Sequence, residues 1–498
     1  MGAPSSTEEV ELKLEIAAER VGALRQALRA GAVRTERHRA IYFDTPDERL
    51  ARAGAALRLR REGRRWVQTL KLSTPDALRR LEHNADVDAP PGEEPALVLA
   101  RHAGTPAGAA LDAILGAEAL DLVARFRTDV RRTTRSVRVG GARIELALDA
   151  GAVVARTGEA PVLELELELK SGPLEGLLEC ARRWLDAHGL WIGTVTKAER
   201  GARLARGEAL RAVGARPVQA ASGADAATFW LASVRSALDQ GLVNLASLAG
   251  GAEDDAIVHQ ARVGLRRLRI ALRELAAHAP GSVDAGWEQA LRAAFRELGA
   301  HRDLDVVLPS VRAQLPAAGL PLFADPQPPE APRPLVQIAR DASLQRTLLD
   351  LLGLVHRAPA AVAPALAGES ARSVVTRRLH ALHDRLARDA GRYADLDRVR
   401  QHAVRKRLKR LRYLAEFAAP LFGAKRVAKV LGHWRAAQDA LGASHDARVA
   451  AEAWRRQAQH EPAAWYAVGW LAARDAQAVD ECRRALRQAT KAKTFWSA

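Results

Sequence analysis

The sequence predicts an α+β domain followed by an all-α domain that contains an internal duplication. Three observations carry this reading. Charged and apolar residues alternate with a period of two in many short stretches of residues 1–206. From Ala226 onward the apolar period is helical almost throughout. Within that helical stretch, two sequence blocks recur at a single offset of 143 residues.

In the first domain, alternation falls at Glu9–Glu15, Ala56–Arg61, Trp66–Leu72, Arg125–Arg132, Arg135–Val139, Arg143–Asp149 and Val162–Lys170. Glu19–Gly31 and Leu174–His188 have the spacing of amphipathic helices. Many strands with few helices imply an antiparallel sheet or barrel. Residues 207–224, rich in Ala, Gly and Ser, read as a linker to a second domain over 225–498. The segment Phe323–Pro334 (FADPQPPEAPRP) cannot continue a helix and splits that domain into 225–322 and 335–498.

The chain has 498 residues, more than one hydrophobic core accommodates. Its formal charge of +17 is uneven: residues 1–206 carry 33 Lys/Arg against 30 Asp/Glu, and residues 207–498 carry 43 against 29. The second domain is therefore the part that seeks a polyanion. Two cysteines far apart, Cys180 and Cys482, suggest neither a disulfide framework nor a metal knuckle and fit a reducing cytoplasm. No apolar run approaches the ~18 residues of a membrane span, so no membrane partner is expected. Met1 to Glu8 is short and acidic, so no signal peptide is expected.

The arrangement of charges in the first domain is more telling than their sum. The strand EVELKLE puts Glu9, Glu11, Lys13 and Glu15 on one face and Val10, Leu12 and Leu14 on the other. LRLR separates Arg58 and Arg60 from Leu57 and Leu59, and LELELELK separates Glu164, Glu166, Glu168 and Lys170 from four leucines. Glu145 and Asp149 share a face, as do Arg125 and Arg127. A half-exposed sheet explains any one of these strands. Several in one domain imply more, because rows of glutamates repel one another unless cations lie between them. Converging charged faces would form a polar tunnel. Its carboxylates suit hard divalent cations, and its Arg and Lys suit phosphate oxygens. That pairing fits metal-assisted phosphoryl transfer to water.

Glu9-Val10-Glu11-Leu12-Lys13 matches the ExExK signature of the CYTH superfamily, the triphosphate tunnel metalloenzymes. YFDTPDERLARAGAALRLR, WVQTLK, IELALD, ELELELKSG and TVTKAERG follow in the family's order. Residues 8–206 closely resemble the CYTH part of bacterial inorganic triphosphatases. The resemblance implies an eight-stranded antiparallel barrel with flanking helices. It also implies Mg²⁺ or Mn²⁺ dependence and hydrolysis of inorganic triphosphate to diphosphate and phosphate. It makes Glu9, Glu11, Asp149, Glu164 and Glu166 metal ligands. Lys13, Lys71 and Lys197 become catalytic lysines, Lys197 from a short helix that closes the tunnel. Arg58, Arg60 and Arg127 become substrate ligands; Arg125 fits the same strand, and Arg127 is chosen. The alternatives are a thiamine triphosphatase, a nucleotide-processing enzyme, or a non-catalytic polyphosphate scaffold.

In the second domain, HQARVGLRRLR from His259 and HAVRKRLKRLR from His402 form one repeated block. LGAHRDLDV from Leu298 and LGASHDARV from Leu441 form the other. The spacing places His259, Arg262, Arg266 and Arg269 along one helical face, and His402, Arg405, Lys409 and Arg412 along another. A single basic face is often only a solvated surface. Two equivalent ones can present two rows of charge to one polyanion. The second copy departs from the first, with His445 in place of Arg302 and Arg448 in place of Asp305. Metal binding by these histidines is disfavoured by the interleaved Arg and Lys. Nucleic acid is disfavoured because the stripes carry only Tyr413 for stacking. The pattern resembles the CHAD domain over roughly residues 225–490. This implies a helical bundle whose basic groove binds inorganic polyphosphate, with cytoplasmic polyphosphate granules as a place of association.

Overall fold

Eight antiparallel strands close a barrel in the computed structural model, which describes residues 7–74, 76–90, 93–116, 121–315, 326 and 331–496. The strands are β1 (Thr7–Glu15), β2 (Arg34–Asp44), β3 (Ala55–Glu62), β4 (Arg65–Ser73), β5 (Arg79–Val87), β6 (Val123–Val139), β7 (Ala142–Ala155) and β8 (Gly158–Ser171). They run in the order β5-β4-β3-β2-β6-β7-β8-β1, and β1 closes the ring on β5. Thr7–Val10 of β1 pair with β5, and Glu11–Glu15 pair with β8. Closure removes the exposed sheet edges that would otherwise invite aggregation. The barrel bears out the α+β expectation.

The alternating strands send their leucines outward beneath helices. Outer-face Ile144, Leu146, Leu165 and Leu167 are fully buried, as are Leu177 and Ala181 of α4 (Leu174–His188), which packs over β6, β7 and β8. Leu57, Leu70 and Leu72 are covered on their outer side by Leu111 and Leu115 of α3 (Pro106–Leu115). Two shorter helices, α1 (Val21–Leu28) and α2 (Arg49–Arg52), also belong to this part.

The inside of the barrel is divided in character. At one end Ala40, Tyr42, Phe126, Val130, Val153 and Val162 form an apolar cluster with Ala198 and Ala202 of α5 (Lys197–Arg206). Gly201 makes this approach possible, since a Cβ there would lie 2.1 Å from the Phe126 ring. Toward the other end the inward positions are charged.

The chain divides into two compact units, one of Met1–Arg211 with Arg340–Gly353, the other of Ala212–Ala339 with Leu354–Ala498. The second is helical. It contains α6 (Ala226–Ala249), α7 (Asp255–His278), α8 (Ala285–Arg302), a π-helical turn over Asp303–Val307, α9 (Leu308–Arg312) and α10 (Leu335–Ala339). After α11 (Ala342–His356), most of which lies in the first unit, it continues with α12 (Pro359–Val362), α13 (Ala371–Gly391), α14 (Arg398–Phe417) and α15 (Ala419–Phe422). It ends with α16 (Ala424–Gln457) and α17 (Ala464–Lys491). The proline-rich break at Phe323–Pro334 falls largely outside the described residues.

α7 and α14, the helices that carry the repeated block, are each opened by an aspartate cap, Asp254 and Asp397. The N-caps of α6 and α13, Asp225 and Ser370, meet in an antiparallel bridge. No helix among the described residues is long and apolar enough to cross a membrane.

Candidate functional site

Strand register assembles the charged end of the barrel. Glu166 lies opposite Lys13, Glu164 opposite Glu15, Asp149 opposite both Glu164 and Arg132, and Lys71 opposite Glu82. Two acidic groups result, each closed by a lysine. Lys197 Nζ lies 2.7 Å from Asp149 and 2.7 Å from Glu166, and it also donates to Glu164. Lys71 Nζ lies 2.7 Å from Glu9, 2.6 Å from Glu82 and 3.7 Å from Glu11.

The surrounding charges fix the protonation of these groups. Against the cost of burial, Arg132 and Lys197 hold Asp149 low, and Lys197 and Arg132 hold Glu166 well below the usual carboxylate range. Burial pushes Glu164 up despite Lys197 and Lys13. Burial and a hydrogen bond to Glu82 push Glu9 up to about 9, while Lys71 holds Glu82 low against burial. Lys13 donates to the Val195 carbonyl, and its Nζ is 3.9 Å from Glu164.

Asp149, Glu164 and Glu166 offer ligand atoms that all lie within 4.8 Å of one another. Carboxylate oxygens gathered this closely suit a hard divalent cation. Arg58 and Arg60 face the same lumen. Arg58 donates to the Tyr42 hydroxyl at 3.0 Å, and Arg60 pairs with Glu62. The Nε of each is buried with no hydrogen-bond partner among the described residues. Unsatisfied buried guanidinium donors are the feature expected where an anionic ligand belongs.

One sequence assignment is corrected. Arg127 is exposed and forms an ion pair with Glu94 at 2.6 Å. Arg125 pairs with Glu48, so neither of the two candidates on β6 joins the acidic group. Inward positions on β6 are instead Phe126, Thr128, Val130 and Arg132. Arg132 is the arginine that reaches Asp149 and Glu166. The charged alternation at 125 and 127 marks the outer face, because the barrel interior at that level is apolar. Glu82 and Arg80, 3.2 Å from Glu11, are further lumen residues that sequence reading missed. Their strand, RRLEHNADV, shows no clean alternation to signal it.

In the helical unit the two predicted basic rows face each other. Arg266 acts electrostatically on both Arg405 and Lys409 across the gap between α7 and α14. Burial, with Arg266 and Arg405 beside it, pushes the Lys409 ammonium down to about 6, and burial and Arg266 push Arg262 down to about 10. His259 and His402 lie along the same rows and are held low by burial and their cationic neighbours. Among the described residues no carboxylate oxygen lies within 4 Å of Arg262, Arg266, Arg405 or Lys409. Arg269 and Arg412 are neutralised by Glu288 at 2.5 Å and Glu416 at 2.7 Å. Buried Nε atoms of Arg262, Arg405 and Arg412 lack hydrogen-bond partners among the described residues. Arg302 adds a cation between the rows, 3.9 Å from Asp446.

Residues 7–202 match the CYTH domain family and residues 232–455 match the CHAD domain family. An inorganic triphosphatase of Haemophilus influenzae is 30% identical over 163 residues, which cover 32% of this chain and 44% of that relative's length. The crystal structure of the CHAD domain from the plant Ricinus communis is 27% identical, with a TM-score of 0.45, covering 56% of this chain and 97% of that one. A Hippeastrum protein, described by its structure's report as having a dominant triphosphatase activity, is 18% identical with a TM-score of 0.30, covering 41% of this chain and 97% of that one. By these family matches the chain carries a CYTH domain followed by a CHAD domain.

Proposed function

We propose that the barrel hydrolyses inorganic triphosphate to diphosphate and phosphate, and that the helical unit binds inorganic polyphosphate. The observation that carries the first part is the placement of Asp149, Glu164 and Glu166 in one lumen with Arg58, Arg60, Lys71 and Arg132. The carboxylates would hold Mg²⁺ or Mn²⁺, which supplies charge neutralisation and orients water. Arg58 and Arg60 supply unsatisfied donors for non-bridging phosphoryl oxygens. The lumen walls hold the chain in line while a water oxygen bonds to a terminal phosphorus and the bridging P–O bond breaks. Diphosphate leaves and one proton passes to solvent. Lys13 and Lys71 neutralise charge that builds on the departing oxygens.

Phosphate release by the purified full chain tests this, with Mg²⁺ or Mn²⁺ and four substrates: triphosphate, ATP, thiamine triphosphate and long-chain polyphosphate. Triphosphate should be fastest. Faster release from thiamine triphosphate or ATP would reassign the substrate, and no release from any would favour a binding scaffold.

The polyphosphate reading is supported by the facing rows of Arg262, Arg266, Arg405 and Lys409, none of which forms an ion pair within 4 Å among the described residues, with Asp446 acting on Arg405 and Lys409 from further away. A linear polyanion that runs between the rows would satisfy both. Through it the chain would hold its hydrolytic barrel close to polymer in the cytoplasm.

A further inference from the structure

A cation at the first position of a helix sits at the unfavourable end of the helix dipole. Lys197 occupies that position in α5, and its side chain accounts for the choice. Its ammonium lies 2.7 Å from Asp149 and 2.7 Å from Glu166 and is bonded to Glu164 as well. These are the three carboxylates that, among the described residues, are gathered closely enough to hold a metal ion. Arg132 grips Asp149 and Glu166, and Lys13 lies 3.9 Å from Glu164. Three carboxylates are thereby matched by three side-chain cations. Asp149 and Glu164 are almost wholly buried, and without such partners their ionised forms would be costly to keep in the barrel.

We propose that Lys197 is a tethered stand-in for the divalent cation, and that metal binds only by displacing its ammonium from Asp149, Glu164 and Glu166. The proposal rests on the reading of this group as the metal site. It makes the affinity for metal the outcome of a competition inside the protein. It also orders events, since the ammonium becomes available to a phosphoryl oxygen only once it has been displaced. Metal therefore precedes the contact between Lys197 and triphosphate.

The exchange does not require α5 to leave the barrel. Arg206 at its far end pairs with Glu48, Arg200 pairs with Glu15 at 3.1 Å and donates to the Pro161 carbonyl at 2.8 Å, and Gly201 is seated on Phe126. The Thr196 hydroxyl accepts from the Glu199 N–H and fixes the first turn. A swing of one side chain at the first helical residue is sufficient.

Titration of the full chain with Mn²⁺, free ion being read by electron paramagnetic resonance without substrate, tests the proposal. Lys197→Met should bind Mn²⁺ about tenfold more tightly or better, as removal of an adjacent unit charge predicts. Asp149→Asn should lose the site. Unchanged or weaker binding by Lys197→Met, with Asp149→Asn still losing the site, overturns the stand-in role and leaves the metal site standing. Equal binding by wild type and Asp149→Asn removes the metal site itself, and the proposal with it. Should Lys197→Met fail to fold, amine acylation of the wild-type chain decides, read by mass spectrometry. Mn²⁺ should speed labelling of Lys197 relative to the exposed Lys425. No change, or protection of Lys197, overturns the proposal.

Discussion

Arg132 grips both oxygens of Asp149, with Nε 2.8 Å from Oδ1 and Nη2 2.6 Å from Oδ2. This fork joins β6 to β7 inside the barrel and orients a carboxylate that is fully buried. Arg132→Ala should therefore cost on the order of 3–5 kcal/mol of stability, the usual penalty for stripping the partner from a buried charge. Triphosphate turnover should fall by about a hundredfold or more, as with loss of a preorganised charge contact. Arg127→Ala, on the outer face, should change both by little. Thermal melts and steady-state kinetics of the two variants check the contrast.

Glu11→Ala and Glu166→Ala each remove a carboxylate from the lumen, one beside Lys71 and one beside Lys197. Both variants should retain the barrel by circular dichroism and lose most of their activity, about a hundredfold. Near-normal turnover in both would reject the assignment of these carboxylates.

A fragment ending at Arg211 carries every proposed lumen residue but lacks Arg340–Gly353 of the same compact unit. In that segment Gln345 accepts a hydrogen bond from the Ile192 N–H at 2.9 Å. The fragment should hydrolyse triphosphate within a few-fold of the full chain's rate and melt roughly 5 °C lower, which corresponds to a modest loss of packing in a unit this size. A folded but inactive fragment would show that the barrel is incomplete without the rest of the chain.

The helical unit should bind long polyphosphate more tightly than triphosphate, since only a long chain engages both rows together. Changing Arg262 and Arg266 to Glu should weaken binding, changing Arg405 and Lys409 to Glu should do the same, and all four changes should abolish it. Affinity should fall steeply with salt. Double-stranded DNA of similar charge should compete poorly. Calorimetry on the full chain with Glu166→Ala, which should slow turnover about a hundredfold, reads all of these.

Lys409 gives that binding a pH dependence. Its pKa in the free protein is pushed down to about 6 by burial, Arg266 and Arg405. A bound polyanion favours the ammonium form, so its pKa rises on binding and a proton is taken up. Affinity should then decline as pH rises above about 6, and calorimetry in buffers of different ionisation heat should show uptake near pH 7. Lys409→Met should flatten this dependence.

Charge alternation reveals β1, β3, β4, β7 and β8 because their outward residues are leucines that α3 and α4 bury, which leaves only the charged row to face the lumen. It misleads on β6. That strand runs unbroken from Val123 to Val139, and its inward row begins with Phe126 and Val130 and reaches charge only at Arg132. A sequence shows which residues share a face and not which face is inside, so Arg125 and Arg127 look like the functional pair. β2 and β5 stay hidden for a related reason, since charge lies on both faces of RTERHRAIYFD and RRLEHNADV. In the helical domain the repeat offset marks α7 and α14, which both open on an aspartate cap. Pairing of Arg269 with Glu288 depends on α8 and is invisible to helical periodicity.

The central claim is that the lumen cleaves triphosphate with a divalent cation held by its carboxylates. A time course of ³¹P nuclear magnetic resonance on the full chain tests it most directly, with triphosphate and Mg²⁺ or Mn²⁺, beside Glu166→Ala. Mn²⁺ is kept at trace levels because it broadens the signals. The account predicts loss of the triphosphate resonances and growth of diphosphate and phosphate in equal amounts, with chelator stopping the conversion and Glu166→Ala slowing it about a hundredfold. Triphosphate left intact by the wild-type chain with either metal, or consumed equally fast by Glu166→Ala, would contradict it.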